Sequence, residues 1–499
     1  MFGKKLFLPI ENAIIPMKKF FWLFLIVFLF NVPVHGQDTL SILKRFSNDE
    51  TLKSAPTSIY VQNVATGKVI LSTTPQLCLT PASVLKLITT ATALEVLGND
   101  FRFRTTLRAN GEIVNGTLHG NLVIKAGGDP TLGSGYFNKN QTKNDFLVRW
   151  ANQIKQHGID TITGNIVVDQ SIYSDNDVPQ TWIWEDLGNY FGAAAQGIAI
   201  YDNTFELVFK TGLTHGSKTE IIDTIPFIPG LILQNEVIAS DDNRDLANVF
   251  GSPFDSFRII RGSLPKNRQA FKIKASIPDP ADLLAYEFEQ QLHKSGITVN
   301  GHSSEDTLYD SPSSPDSLLM VWESPTLAEI IKPLNQESIN LFAEHLCKHI
   351  GYVTYGNGST NSGVKTIIKF WAEKGIDTNN LYMADGSGLS RVNAITAKTL
   401  VEVLIYMHKN SLYFNEYLSS IPLTGLEGTQ QYYFQDSVLK GKANAKSGSM
   451  NRVRSFAGYM TTQNGTPVAY AIMVNNFSGN SFIMAKKMEK LMDEIYLNF

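Results

Sequence analysis

The chain has 499 residues, of which 43% are apolar and 18% charged, and its formal net charge is −3. At roughly 100–200 residues per domain this is length for two to four domains with large apolar cores. No basic excess exists to draw phosphate from a distance, so nucleic acid is excluded as a partner.

From Met17 the chain reads MKKFFWLFLIVFLFNVPVHGQ. Lys18 and Lys19 form a short basic region. The apolar run that follows, 20–30, is shorter than the about 20 residues a membrane helix needs. Val34 and Gly36 occupy −3 and −1 of a cut before Gln37. The pattern predicts a secretory signal peptide over 17–36, with 1–16 as an upstream extension. A retained membrane anchor is the alternative. Removing 1–36 removes a net +3 and leaves −6. Only two cysteines occur, Cys78 and Cys347. A secreted chain of this size needs no disulfide framework. Both read as small core residues, with a single bridge between them left open.

Residues 57–74, TSIYVQNVATGKVILSTT, alternate and turn at Thr66-Gly67, which predicts a β-hairpin. Residues 80–98 read as a helix: Thr80 as N-cap, Pro81 at the first helical position, Val84, Leu87, Ala91 and Leu94 at helical spacing, and Gly98 as stop. Beyond Gly98 the texture turns to strands, with Asn110-Gly111 and Asn115-Gly116 as turn signals. The β-like runs are FRFRTTLR, GNLVIKAG, GNIVVD, FELVFK, FRIIRGS and FKIKASI. Helical patterns interrupt them near 143–156 and 280–294. The Ser/Asp/Pro-rich stretch 303–317 reads as a loop or boundary. Helices are predicted again over 326–332, 338–350, 362–374 and 396–408. Two strong β-runs follow, RSFAGYMTT and TPVAYAIMVNN, joined at Asn464-Gly465, and a helix over 480–496 closes the chain. The expected organisation is one α/β domain formed by 37–98 and 318–499, interrupted by a β-rich insertion over 99–317.

The tetrapeptide Ser-x-x-Lys starts five times, at Ser41, Ser83, Ser263, Ser362 and Ser437. A lysine three residues on from a serine can activate it if both lie on one helix face and the amine is partly neutral. Ser83 and Lys86 meet those conditions. They lie in the first turn, where free N–H groups favour developing negative charge, among apolar Val84, Leu85 and Leu87, which lower a lysine pKa by desolvation. The other copies fail on position. Ser41 is near the mature start, Pro265 breaks the third, Gly363 loosens the fourth, and Ser437 runs into Gly441. Two further triplets stand in order: Ser338-Ile339-Asn340 at a helix start, and Lys446-Ser447-Gly448, followed by Ser449, ahead of the β-runs. Ser-x-x-Lys, Ser-Asp-Asn and Lys-Thr-Gly together mark β-lactamases and penicillin-binding proteins. Here Ile339 stands for Asp and Ser447 for Thr.

On these motifs the chain resembles the penicillin-binding-protein-4-type D-alanyl-D-alanine carboxypeptidases, the S13 serine peptidases. TPASVLKLITTATALEVLG and SPTLAEIIKPLNQESINLFAEHL resemble the first two motif regions of that family, and AKSGSM resembles the third. GGDPTL at 127–132 and ADGSGLSR at 384–391 are similar to further family segments. The 255 residues between Ser83 and Ser338 fit a long insertion after the first motif. The resemblance implies a transpeptidase-like core of antiparallel sheet flanked by helices. It also implies carboxypeptidase or endopeptidase action on peptidoglycan stem peptides, covalent inhibition by β-lactams, and a periplasmic address. It implies roles too: Ser83 as nucleophile, Lys86 as base, Ser338 as relay to the leaving amine with Lys446 beside it, and Asn340 positioning Lys86 and substrate. Ser83 and Ser449 N–H groups would form the oxyanion hole. Lys446 and Ser447 would hold the terminal carboxylate, and Gly448 would let substrate lie against the strand edge. No metal or other cofactor is expected, and self-association into a homo-oligomer is left open.

Other constellations weigh less. His345 and His349 lie one turn apart, but without His-Glu-x-x-His they read as a packed or surface pair. The Gly-rich 127–130 lacks a P-loop lysine and reads as a turn. Trp182, Trp184, Tyr190 and Phe191 read as buried core, or as a wall-binding surface. A β-lactamase and a catalytically silent peptidoglycan-binding protein remain as competing functions.

Overall fold

The computed structural model describes residues 35–137, 142–175, 178–301, 303–304 and 315–499. The expected signal peptide lies outside these residues except for its last two, which open the helix His35–Ser47. Most of 303–317 lies outside them as well. Among the described residues no helix is long and apolar enough to cross a membrane.

An antiparallel five-stranded sheet organises the two ends of the chain. Its order is Ala443–Met450, Val453–Thr461, Pro467–Asn475, Thr57–Asn63 and Val69–Thr73. The two central C-terminal strands are buried almost end to end because both faces are covered. Successive side chains alternate between the faces. Ala457, Tyr459, Ala471 and Met473 join the core with the helix Lys86–Leu97 and its neighbours. Phe456, Met460, Tyr470 and Ile472 pack on the other side against Met484, Met488 and Leu491 of the closing helix Ser481–Asn498. This two-sided cover explains why RSFAGYMTT and TPVAYAIMVNN read as near-continuous apolar runs. The mixed α/β architecture expected from sequence is the one found.

The segment between the first two motifs builds its own layers. A hairpin of Arg104–Val114 and Thr117–Lys125 turns at Asn115-Gly116, both in left-handed conformation. The helices Asp145–Gln156 and Pro280–Lys294 bury Trp150, Ile154, Phe288 and Leu292 in a core shared with this sheet. Two three-stranded sheets follow. Asn110-Gly111 is not a turn. It lies inside the long strand, where Gly111 faces Gly120, and a Cβ on either glycine would fall within about 2.2 Å of the partner's backbone. Strand Asp316–Glu323 pairs antiparallel with Arg104–Val114, so the boundary expected before residue 318 falls inside a strand. Its apolar residues complete the earlier sheet, and the chain leaves that sheet only at Ser324.

The cysteines are both free. Cys347 is buried as expected, but Cys78 is exposed, because the chain between the hairpin and the next helix runs over the surface.

Candidate active site

The expected helix over 80–98 forms in two pieces. Residues Ala82–Leu85 make a tight 3-10 turn, and the α-helix runs over Lys86–Leu97 to a positive-φ Gly98. Thr80 does not cap it; its hydroxyl donates to the Arg391 carbonyl instead, at 3.2 Å. Ala82, just before Ser83, is held at φ +51°, a conformation that costs about 1–3 kcal/mol in a non-glycine residue. Neighbours on both sides enforce it. Ser455 donates to the Pro81 carbonyl at 2.6 Å. Gly448 and Gly388 press so close that a Cβ on the first would stand 2.6 Å from the Pro81 oxygen, and on the second 2.1 Å from the Ala82 oxygen. The turn carrying Ser83 is thus clamped between the strand Ala443–Met450 and the loop 384–391. Glycine at 448 is required by this clamp, a reason the sequence did not disclose.

Lys86 is fully buried. Its Nζ lies 2.6 Å from Asn340 Oδ1, 2.6 Å from the Ser387 carbonyl and 3.1 Å from Ser83 Oγ. The Ser387 oxygen can only accept. Asn340 Oδ1 is also fixed as an acceptor, because the same amide donates from Nδ2 to the Phe191 carbonyl at 2.8 Å. A neutral amine has two hydrogens, and both are taken. Its lone pair then faces Ser83, whose hydroxyl can donate to it. Burial lowers the Lys86 pKa to about 7, against the upward pull of Asp385 and Glu344. The neutral form is therefore accessible near neutrality.

Ser338 does not sit inside a helix. It occupies the turn between Leu327–Gln336 and Asn340–Tyr355, at φ +61°. That conformation turns its hydroxyl toward Lys446, which donates to it at 2.9 Å and to the Ser447 carbonyl at 2.8 Å. Burial foremost, then the positive charges of Lys86 and Arg454, hold Lys446 well below an ordinary lysine pKa. Ser447 shares a hydrogen bond with Thr429 at 3.2 Å. The strand carrying Lys446 to Ser449 is the outermost of its sheet, so one edge remains for an extended peptide.

These residues meet at a cleft of about 500 Å3. Ser83, Ser338, Asn340, Ser447 and Ser449 line it, while Lys86, Lys446 and Gly448 stand behind its wall. The structure therefore brings all eight sequence-predicted residues together, across three separate chain segments. The other Ser-x-x-Lys copies go elsewhere: Lys266 pairs with Asp241, Lys365 lies over the Tyr355 ring, and Lys440 donates to Gln435.

Asp186 and Arg454 were not read from the sequence at all, while Tyr190 and Phe191 were offered there only as core or a wall-binding surface and Arg391 only as the end of the segment 384–391. Asp186, Tyr190 and Phe191 reach in from the intervening segment, Arg391 from the loop, and Arg454 from the neighbouring strand. Burial raises the Asp186 pKa, opposed by Arg391. The aromatic cluster divides. Trp182 is buried and donates to Asp385 at 2.9 Å, whereas Trp184 and Tyr190 are exposed, which corrects the core reading for those two. His345 packs on Tyr173 and bonds the Gly128 carbonyl, so the histidine pair is a packing element beneath the 127–130 turn. Among the described residues no cluster of His, Cys, Asp and Glu could hold a metal.

The sequence profile of the D-Ala-D-Ala carboxypeptidase 3 (S13) family matches residues 40–498. The D-alanyl-D-alanine carboxypeptidase DacB of Haemophilus influenzae is 28% identical over 402 residues, 80% of each chain. A D-alanyl-D-alanine carboxypeptidase of an Actinomadura species is 29% identical over 447 residues, 86% of this chain and 80% of that one. The crystal structure of penicillin binding protein 4 from Haemophilus influenzae superimposes with a TM-score of 0.78 at 25% identity, covering 91% of this chain and 99% of that one.

Proposed function

The chain belongs to the D-Ala-D-Ala carboxypeptidase 3 (S13) family, and from this we propose how its residues carry out a serine-type D-Ala-D-Ala carboxypeptidase or DD-endopeptidase reaction on peptidoglycan stem peptides. Ser83 Oγ attacks the carbonyl carbon between two D-amino acids while Lys86 Nζ takes the hydroxyl proton. The observation that carries this reading is the lysine's hydrogen bonding: two acceptors occupy its hydrogens, and the remaining direction is toward Ser83. The oxyanion forms against the N–H groups of Ser83 and Ser449, where one such donor is typically worth about 10²–10³ in rate. The C–N bond then breaks. Ser338, held by Lys446, relays the proton that Lys86 took to the leaving amine, which leaves Lys86 neutral again. Water attacks the acyl-enzyme and gives a proton to Lys86, which returns it to Ser83 Oγ as the ester C–O bond breaks and the shortened peptide leaves.

The buried Arg454 makes the end of the strand positive, and Ser447 offers a hydroxyl and Lys446 an amine beside it, which suits a free terminal carboxylate. A penicillin mimics the same acyl donor and would stay on Ser83. Action on peptidoglycan sets the protein to work outside the cytoplasmic membrane, and residues 17–36 would direct it to the periplasm. The catalytic domain is drawn from 37–98 together with the chain beyond residue 323, with the β-rich layers inserted between. The complete nucleophile, base and relay set disfavours a silent binding protein. Slow release of bound penicillin would disfavour a β-lactamase.

The test is covalent labelling by a fluorescent penicillin on a denaturing gel. Wild type is expected to label and Ser83→Ala to remain dark. An unlabelled wild type, or a labelled Ser83→Ala, overturns the assignment. Assays on pentapeptide and on crosslinked muropeptides then separate carboxypeptidase from endopeptidase action.

A further inference from the structure

The helix Asn340–Tyr355 offers the lysine two holds from one face. Asn340 touches Lys86 directly. Glu344 lies one turn further on, at the i+4 position that shares that face. It is buried and does not touch the reacting groups. Its carboxylate accepts the Gly386 N–H at 3.1 Å and the Ser387 N–H at 2.7 Å. The following peptide unit opens with the Ser387 carbonyl, which accepts from Lys86 at 2.6 Å. Thr89, one turn beyond Lys86, donates to the Gly386 carbonyl at 2.6 Å. Asp385 fixes the remainder of the loop, accepting from Trp182, Gly388, Ser390 and Asn393. Asp385 thus holds, through the Gly388 N–H, the peptide unit whose carbonyl meets the amine, whereas Glu344 holds the N–H groups of the two units that lead into it.

We propose that Glu344 is a positioning residue for Lys86: it grips the Gly386 and Ser387 N–H groups and so sets the approach of the next peptide unit, whose Ser387 carbonyl meets the amine, and its negative charge biases that amine toward the ammonium. This rests on Lys86 being the base for Ser83. Asp385, Lys86 and Cys347 are the ionisable groups whose charges interact with this carboxyl. Lys348, the next helical turn's cation, is turned away to Asp175 at 2.7 Å, and His345 to the Gly128 carbonyl. Lys86 in turn faces Asp385 and Glu344, with Lys446 beyond. Burial foremost, and then the Asp385 charge, raises the Glu344 pKa, while the hydrogen bonds from the Gly386 and Ser387 N–H groups oppose that rise and favour the carboxylate.

The two contributions separate by substitution. Glu344→Gln keeps an acceptor for the peptide N–H groups and removes the charge. Without that charge the ammonium is less stable, Lys86 becomes neutral at lower pH, and acylation persists further into acid. Glu344→Asp keeps the charge and shortens the reach. The carbonyl then loses its register on Lys86, and the plateau acylation rate is expected to fall about 10- to 100-fold. Thr89→Val loosens the same peptide from the other side without touching charge, so it should lower the plateau and leave the acid limb in place.

The experiment measures second-order acylation by a chromogenic cephalosporin from pH 4.5 to 9 in the full chain, alongside thermal unfolding. A displaced acid limb in Glu344→Gln with a retained plateau, and a lowered plateau in Glu344→Asp, support the proposal. A merely structural role would lower Tm and leave the limb where it was. The proposal is overturned if folded Glu344→Gln and Glu344→Asp both reproduce the wild-type profile. It is overturned equally if, where those two do not fold, Thr89→Val acylates at the wild-type plateau. Failure of wild type itself to acylate would instead sink the reading of Ser83 and Lys86.

Discussion

Lys86 and Asn340 stand 254 positions apart in the chain and meet at 2.6 Å, nitrogen to amide oxygen. Asn340 is oriented from behind by its own bond to the Phe191 carbonyl, so the intervening segment has a hand in aiming the amine at Ser83. Replacing Asn340 with Asp puts a carboxylate where a neutral acceptor stood. A negative neighbour favours the ammonium, so the acid limb of acylation should move to higher pH. Asn340→Ala should instead lower the rate at all pH values. Acylation rates over pH 5–9 distinguish the two; an unmoved limb in Asn340→Asp would refute the contact.

The wild-type profile has its own sign. Lys86 must be neutral to accept the Ser83 proton, and its pKa is about 7. Acylation is therefore expected to rise as pH increases through about 7 and to level off above it. Stability follows the same group. An unfolded lysine binds its proton up to about 10.4, while the folded one has released it above about 7. The unfolded state binds more protons in this window, so the lysine's contribution to stability improves as pH rises from about 7 to about 10 and is least favourable below it. In Lys86→Met that component should vanish and acylation should drop by orders of magnitude. Urea unfolding at several pH values, compared with wild type, checks the first point, and penicillin labelling checks the second.

What the sequence made legible was chemistry carried by neighbours. Ser83 and Lys86 announce themselves because i and i+3 face one way on a helix, and the strand pair after Lys446 announces itself by β-branched and aromatic runs. What it concealed were contacts between distant segments. Nothing in ADGSGLSR says that the Ser387 carbonyl meets Lys86, although that segment was singled out as similar to the family. Glu344 was legible only as the residue one turn after Asn340. Its meaning depends on a loop some forty positions away. Asn110-Gly111 misled because a local turn signal was overridden by cross-strand packing against Gly120. Ile339 in place of Asp is harmless to the geometry, since it is Asn340 that touches Lys86.

Gly448 supplies a packing test. A methyl group there would stand 2.2 Å from Ser455 Oγ, 2.6 Å from the Pro81 oxygen and 3.0 Å from the Ser83 amide nitrogen. The serine hydroxyl can rotate aside, but the Pro81 and Ser83 backbone cannot move without disturbing the nucleophile. Gly448→Ala should destabilise the fold by about 1–3 kcal/mol and reduce acylation by more than that loss explains, because the displaced atoms carry Ser83. Thermal unfolding and acylation measured on the same preparation check this. Wild-type acylation in the variant would show that the strand can shift without consequence.

Arg454 bears on the choice of substrate. It pairs in register with Ser449 across the sheet edge and lies over the Tyr433 ring at 4.4 Å. Its side chain is buried in the cleft wall, and its Nε and Nη2 have no hydrogen-bond partner among the described residues. A buried guanidinium left this way is costly, and burial already lowers its pKa. A ligand carboxylate at the end of the strand would complete the pairing. Loss of a charged hydrogen bond is worth about 1.5–3 kcal/mol, so Arg454→Ala should cut kcat/KM for peptides ending in a free carboxylate by roughly 10- to 100-fold. The loss should appear mainly in KM, because the reacting atoms at Ser83 are untouched. A peptide with an amidated terminus offers no carboxylate, and its turnover should change little between wild type and variant. Equal losses on both peptides would mean that Arg454 supports the strand through Tyr433 and does not read the terminus.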